Sequence, residues 1–202
     1  MQKNSKSHMA FTLAEVLITL GIIGVVAAIT IPTLIANYQK QVTVNRLKQT
    51  YTILYQAIRL SEADNGSAKE WEILTDTNEW IKKYIAPYLK HTSIIDSTIK
   101  LANGVAISFW RSGNSTRQIH VYIYLNDMAN AKNGKDYFIY FLGKESNYGK
   151  NEELRPYDAG IGDAVFPSRI NLIKSGCNKD SKNYCAALIM FDGWKISKDY
   201  PW

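Results

Sequence analysis

From Val16 to Ala36 the chain carries no charged residue, a run of twenty-one positions. Roughly 20 apolar residues at about 1.5 Å rise per residue span the hydrocarbon core of a bilayer, so this stretch has the length and composition of a membrane-crossing helix. Glu15 stands at its entrance. An ionised carboxylate costs a few kcal/mol at depth in a membrane and somewhat less near the interface. Any fold for this chain has to place an apolar helix outside a small soluble core and find a use for that acid.

Two ordinary readings leave Glu15 without a purpose, and a third lacks the surrounding domain it needs. The leader MQKNSKSHMA holds Lys3 and Lys6 with no acidic neighbour. The positive-inside rule keeps such a leader cytoplasmic and puts everything after residue 36 outside. A secretory signal peptide fits the basic start, the apolar core and Val26-Ala27-Ala28 as a small-residue cleavage site, but nothing in a discarded segment requires a carboxylate. A plain signal anchor meets the same objection. A buried core helix needs a domain that surrounds it on all sides, and the polar chain that follows does not supply one.

The fourth reading uses the charge. The stretch A-FTLAE-VLITLGIIG-VVAAITIP, residues 10 to 32, resembles the N-terminus of type IV pilins and of the pseudopilins of type II secretion systems. The resemblance covers residues 8 to 36 closely, including the TLAE core, Gly24 and Pro32. It implies a prepilin whose short basic leader is cut by a dedicated membrane peptidase and whose new N-terminus is methylated. The cut would fall between Ala10 and Phe11; the family usually has Gly before the cut, and Ala10 is also small. Glu15 would become the fifth residue of the mature chain, where the family's glutamate neutralises the N-terminal amine of a neighbouring subunit. An unpaired amine buried in a filament is costly, and low dielectric strengthens its attraction to a carboxylate. Glu15 then acts as a registry device between copies.

The breaks in the apolar stretch are consistent with assembly. Gly21, Gly24 and Pro32 weaken a helix in water, Pro by roughly 3 kcal/mol, yet membranes tolerate them. Gly24 with Ala27 and Ala28 offers a small-residue surface for close approach of another helix. Pro32 predicts a kink, or a turn that melts on assembly. Beyond it Val44, Leu47, Tyr51, Leu54 and Ile58 recur at spacings of three and four, opposite Lys40, Asn45, Arg46, Lys48, Gln49 and Gln56. The helix is thus apolar all round in its first half and amphipathic in its second. The Asn-Gly pair in EADNGS, residues 62 to 67, ends it.

The expected class is α+β and pilin-like: a long N-terminal helix, half transmembrane and half amphipathic, packed on a small antiparallel sheet. The expected organisation is a leader over 1–10, a transmembrane and assembly helix over 11–36, and a head over 37–202 that includes the amphipathic half of the helix. In the head, Asp76 with Glu79 three residues on resembles a capping box opening a short helix that buries Trp80, Ile81, Tyr84, Ile85 and Tyr88 and bends or ends at Pro87. Three β-rich runs follow at 104–110, 118–126 and 136–143, separated by SGNSTR and NDMANAKNGK. Alternation in the middle run sends Ile119, Val121, Ile123 and Leu125 one way and His120, Tyr122 and Tyr124 the other. The sheet is read as an antiparallel meander covering the amphipathic half of the helix. Residues 145–182 are read as a loop-rich cover, where function often resides.

Chemistry-bearing clusters are few. Asn126, Asp127, Asn130, Asn133 and Asp136 crowd one loop with oxygen ligands suited to a hard cation such as calcium. Their spacing is not that of an EF-hand, and the same residues are what hairpin turns use, the weightier reading. His120 on a strand reads as a surface residue. The three histidines and two cysteines lack zinc spacing, and no Ser or Cys sits in a nucleophile motif, so no enzyme is expected. Asn65-Gly-Ser67 and Asn114-Ser-Thr116 match glycosylation sequons, of little weight behind a bacterial-type leader. The formal charge of +6 is spread among acids, so nucleic acid is not indicated. Cys177 and Cys185 would close one small loop in an exported head and stay reduced in the cytosol; pilins often carry such a C-terminal disulfide. Trp194, Tyr200 and Trp202 in FDGWKISKDYPW read as aromatics anchoring the terminus, with an exposed contact surface as the second reading.

The partners implied are other copies or related pilins in a filament, the prepilin peptidase and methyltransferase, the inner-membrane assembly machinery and membrane lipid. The location implied is the bacterial inner membrane with the head outside the cytoplasm, then a periplasmic or extracellular filament. Two alternatives stand beside this reading: an anchored or secreted enzyme, and an adhesin or DNA-uptake subunit differing only in its head.

Overall fold

The structure is a computed structural model and describes residues 12–72, 76–111, 118–143, 154–157 and 168–202. The leader, Ala10 and Phe11, the SGNSTR turn with the sequon at Asn114, and much of 145–167 lie outside the described residues. The chain divides into two compact units, Met1–Lys40 and Gln41–Trp202.

Helix α1, Leu13–Asn65, belongs to both. In the first unit it is apolar on every side, and from Leu13 to Ile35 all its large apolar side chains are exposed, Leu34 at 70% and Ile29 at 69%. It is long and apolar enough to cross a membrane, and none of its most apolar stretch is buried. The helix runs without interruption through Pro32, where the missing N–H removes a single backbone bond.

In the second unit α1 turns amphipathic. Val44, Leu47, Leu54 and Ile58 are buried, as expected from the three-and-four spacing, with Ala57 beside them, while Asn45, Lys48, Gln49 and Gln56 are exposed. Thr50 and Ser61 join the buried face. Their hydroxyls are accommodated by local bonds: Thr50 Oγ1 donates to the Arg46 carbonyl at 2.8 Å, and Ser61 Oγ accepts from Asn65 Nδ2 at 3.3 Å. Tyr51, expected on this face, is half-buried, because its ring packs 5.5 Å from Tyr140 while its hydroxyl reaches the Leu154 carbonyl. The helix ends at Asn65, before Gly66 at a φ of 77°.

Helix α2, Thr77–Tyr84, begins where the capping signal placed it, with the Asp76 side chain accepting the Asn78 N–H at 2.7 Å. Pro87 lies in a 3-10 turn at Ala86–Tyr88 that closes it. Trp80, Ile81, Tyr84 and Ile85 are buried, but Tyr88 is only half-buried and uses its hydroxyl to bond Asp64 at 2.8 Å.

The sheet has six strands in the order of the chain, β1 Ser93–Ile95, β2 Thr98–Lys100, β3 Ala106–Arg111, β4 Gln118–Tyr124, β5 Tyr137–Gly143 and β6 Leu154–Pro156, every pair antiparallel. The meander expected from three runs forms its centre, β3 to β5. The three additional strands are three residues each, too short to show a period of two, and β6 falls inside the segment read as loop. Val121 and Ile123 on β4 are buried together with Phe109, Phe138, Tyr140 and Leu142 from its neighbours, and this face joins Leu47, Leu54 and Ile58 of α1 in one core. Helices α3, Arg169–Gly176, and α4, Cys185–Phe191, contribute Leu172, Leu188 and Ile189 to the same core.

Candidate functional site

Glu15 sits at the third position of α1 and Thr12 just before its first. Thr12 Oγ1 accepts the Glu15 N–H at 3.2 Å, and Glu15 Oε2 accepts the Thr12 N–H at 2.8 Å and its hydroxyl at 2.9 Å. This reciprocal arrangement is a capping box, and a carboxylate there also favours the positive end of the helix dipole. The motif T-L-A-E therefore carries an intrachain role that was legible as Thr followed three residues later by Glu. Glu15 remains exposed, so its carboxylate is accessible to a cation from another chain.

A Cβ placed on Gly21 or Gly24 meets nothing within 4 Å. Ala28 is exposed and Ala27 half-exposed, so no other described part of the chain covers this small-residue surface. Pro32 is exposed as well.

The oxygen-rich loop between β4 and β5 is tied by its own hydrogen bonds. Asn126 accepts from Arg46 Nη1 at 3.0 Å and donates through Nδ2 to Asp136 Oδ1 at 2.9 Å, while Asp136 Oδ2 accepts the Lys132 N–H at 3.0 Å. Asp127 accepts the Ala129 N–H at 3.4 Å, Asn133 donates to Asn183 at 2.7 Å, and Asn130 is exposed. These contacts serve as turn chemistry and as a link from the loop to α1. Among the described residues no group of three or more His, Cys, Asp or Glu side chains is arranged to hold a metal ion.

The C-terminal region is fastened at several points. Cys177 and Cys185 form a disulfide, both fully buried. Gly176 lies so close to the Tyr184 ring that an added Cβ would stand 2.0 Å from it, which explains a glycine in the last position of α3. Arg169 Nε bonds Asp192 at 2.7 Å and its Nη2 bonds Asp199 at 2.7 Å. The guanidinium holds the Asp199 carboxyl well below the usual carboxylate range, with help from Ser197. Tyr200 is buried and donates its hydroxyl to the Gly134 carbonyl. Trp194 and Trp202 are half-buried against the core, which supports the anchoring role of the terminal aromatics.

Sequence reading missed the far face of the sheet. His120, Tyr122 and Tyr124 do point away from the core, as alternation predicted, but they join rings from neighbouring strands. His120 lies edge-on to Phe141 at 4.6 Å and to Trp110 at 5.2 Å, and Tyr124 lies 5.0 Å from Tyr137. His120 is thus a half-buried member of an aromatic layer, and its burial lowers its pKa. Only strand register brings these rings together, since β3 and β5 contribute partners from positions far away in the chain. Arg59, Glu62, Ala63 and Ser67 line a shallow depression, and the Glu62 carboxylate in its wall accepts from Arg59 and from the Ala68 N–H.

No curated protein and no solved structure matches the chain. A family model does match, over residues 33–202, beginning one residue after Pro32. The chain belongs to that family, which is described as a family of unknown function (DUF6613).

Proposed function

We propose that the chain is the structural subunit of a filament of the type IV pilus or type II secretion pseudopilus kind, made as a prepilin, cleaved before Phe11, methylated, and polymerised through its apolar helix. The observation that carries this reading is Glu15: an exposed carboxylate at the start of an apolar helix whose side chains find no cover within the described chain. The capping box accounts for a Glu at this position in any helix, but not for one placed directly before a stretch of membrane-spanning character. A neighbour's amine supplies what the position lacks, a positive charge in a medium of low dielectric. The uncovered surface of Gly24 and Ala28 supports close helix packing in the same assembly.

Mass spectrometry of the protein extracted from membranes tests the reading. The expected product begins at Phe11 and carries one added methyl group. A product that retains Met1, or that begins near Ile29, overturns it.

A further inference from the structure

The head has two ends along the part of α1 that it contains. At the Asn65 end, Asp64 and Asn65 bond the Tyr88 hydroxyl. At the Gln41 end, residues from two other parts of the chain meet α1. Arg46 bonds Asn126 at 3.0 Å, and Lys48 Nζ lies 6.0 Å from the Trp194 ring, which in turn lies 5.5 Å from Tyr51. In the same region Lys135 Nζ lies 5.2 Å from the Trp202 ring, Trp202 lies 6.4 Å from Tyr200, and Tyr200 donates to Gly134. The β4–β5 loop and the C-terminal aromatics therefore share this end, with Lys132 exposed beside them.

We propose that this end of the head docks on an anionic phospholipid surface through Lys48, Lys132 and Lys135, with Trp194 and Trp202 at headgroup depth. The inference rests on the membrane-anchored reading above. Charge favours it: Asp127 and Asp136 bond neutral donors and keep their charge, and Asp192 and Asp199 share Arg169, but Arg46, Lys48, Lys132, Lys135, Lys195 and Lys198 outnumber these acids in the same segments. The balance of the outward field is basic. Chemistry favours it too, because a half-buried Trp with a Lys beside it presents an apolar body and a cation, the combination that partitions to the membrane interface. An anionic leaflet attracts basic groups held within a Debye length of its surface.

The test uses the full chain in nanodiscs at one copy per disc, made of phosphatidylcholine alone or of phosphatidylcholine with phosphatidylglycerol. Amide hydrogen exchange is followed over 126–136 and 194–202. Exchange is expected to slow in the anionic discs and to recover in high salt. Lys48→Gln, Lys132→Gln and Lys135→Gln should each lower the membrane-apposed population about fivefold, whereas Lys90→Gln, next to Tyr88 at the other end, changes nothing. Equal exchange in the two lipids, or a lipid dependence that survives all three substitutions together, overturns the proposal. Protection that follows the number of copies per disc and not the lipid charge assigns the face to another copy of the chain, and also overturns it. The leader mass is read on the same sample: a cleaved, methylated chain with no lipid dependence sinks this proposal alone, and an uncleaved chain with lipid dependence sinks the filament reading alone.

Discussion

Thr12 and Glu15 hold one another at the start of α1 through three hydrogen bonds of 2.8 to 3.2 Å. Removing the glutamate therefore removes both a helix cap and a charge, and the two effects have to be separated by choice of variant. Glu15→Gln keeps an acceptor for the Thr12 N–H and loses the charge. Thr12→Ala removes the capping hydroxyl, a loss of about 1 kcal/mol in the first turn, and keeps the charge. Filament yield is expected to fall sharply in Glu15→Gln and Glu15→Ala and to stay near wild type in Thr12→Ala. Wild-type yield from Glu15→Gln would leave Glu15 with the cap as its only role.

The two halves of α1 should respond oppositely to the same kind of truncation. Leu54 is fully buried in the core of the head, and Leu54→Ala is expected to destabilise the head by about 2 to 5 kcal/mol, seen as a lower midpoint in urea. Ile23 is 63% exposed. Ile23→Ala should leave that midpoint unchanged and weaken assembly or membrane retention. A fall in the head's midpoint from Ile23→Ala contradicts the division.

Reduction of the Cys177–Cys185 bond opens a loop with a sequence separation of 8. On the chain-entropy account a loop of this size stabilises by roughly 2 to 3 kcal/mol. Urea unfolding with and without reductant should differ by that amount, and a Cys177→Ser, Cys185→Ser double variant should match the reduced protein. An unchanged midpoint on reduction would assign the fastening of this region to Arg169 and Tyr200 alone.

Acid should loosen the C-terminal segment first. The Asp199 carboxyl is held below its ordinary pKa by Arg169, so its contribution is complete at neutral pH. It is lost as pH falls below the usual aspartate value of about 4 toward the depressed folded value. Asp199 is 50% exposed, so screening keeps the effect modest. Limited proteolysis near residues 192–202 should accelerate between about pH 4 and pH 2, and Asp199→Asn should show the faster cleavage already at neutral pH. A flat profile in the wild type contradicts the ion pair's role.

The sequence by itself determined those elements whose signal is local. The apolar run of α1, its amphipathic continuation through Val44, Leu47, Leu54 and Ile58, its stop at Asn65, the Asp76 cap and the central strands all follow from period, capping residue or turn residue within a few positions. The Thr12–Glu15 box is equally local. What only the tertiary structure decided depends on neighbours outside the local pattern: the three-residue strands β2 and β6, which lie against the longer β3 and β5, with β1 paired to β2 through a tight hairpin; the aromatic layer around His120, which strand register assembles; and the convergence of Lys48, Lys135, Trp194 and Trp202 at one end of the head. The β4–β5 loop shows why the division falls there. Its Asn and Asp residues read as turn chemistry first and as ligands second, but no local signal named the partner of Asn126, which is Arg46, eighty positions earlier in the chain.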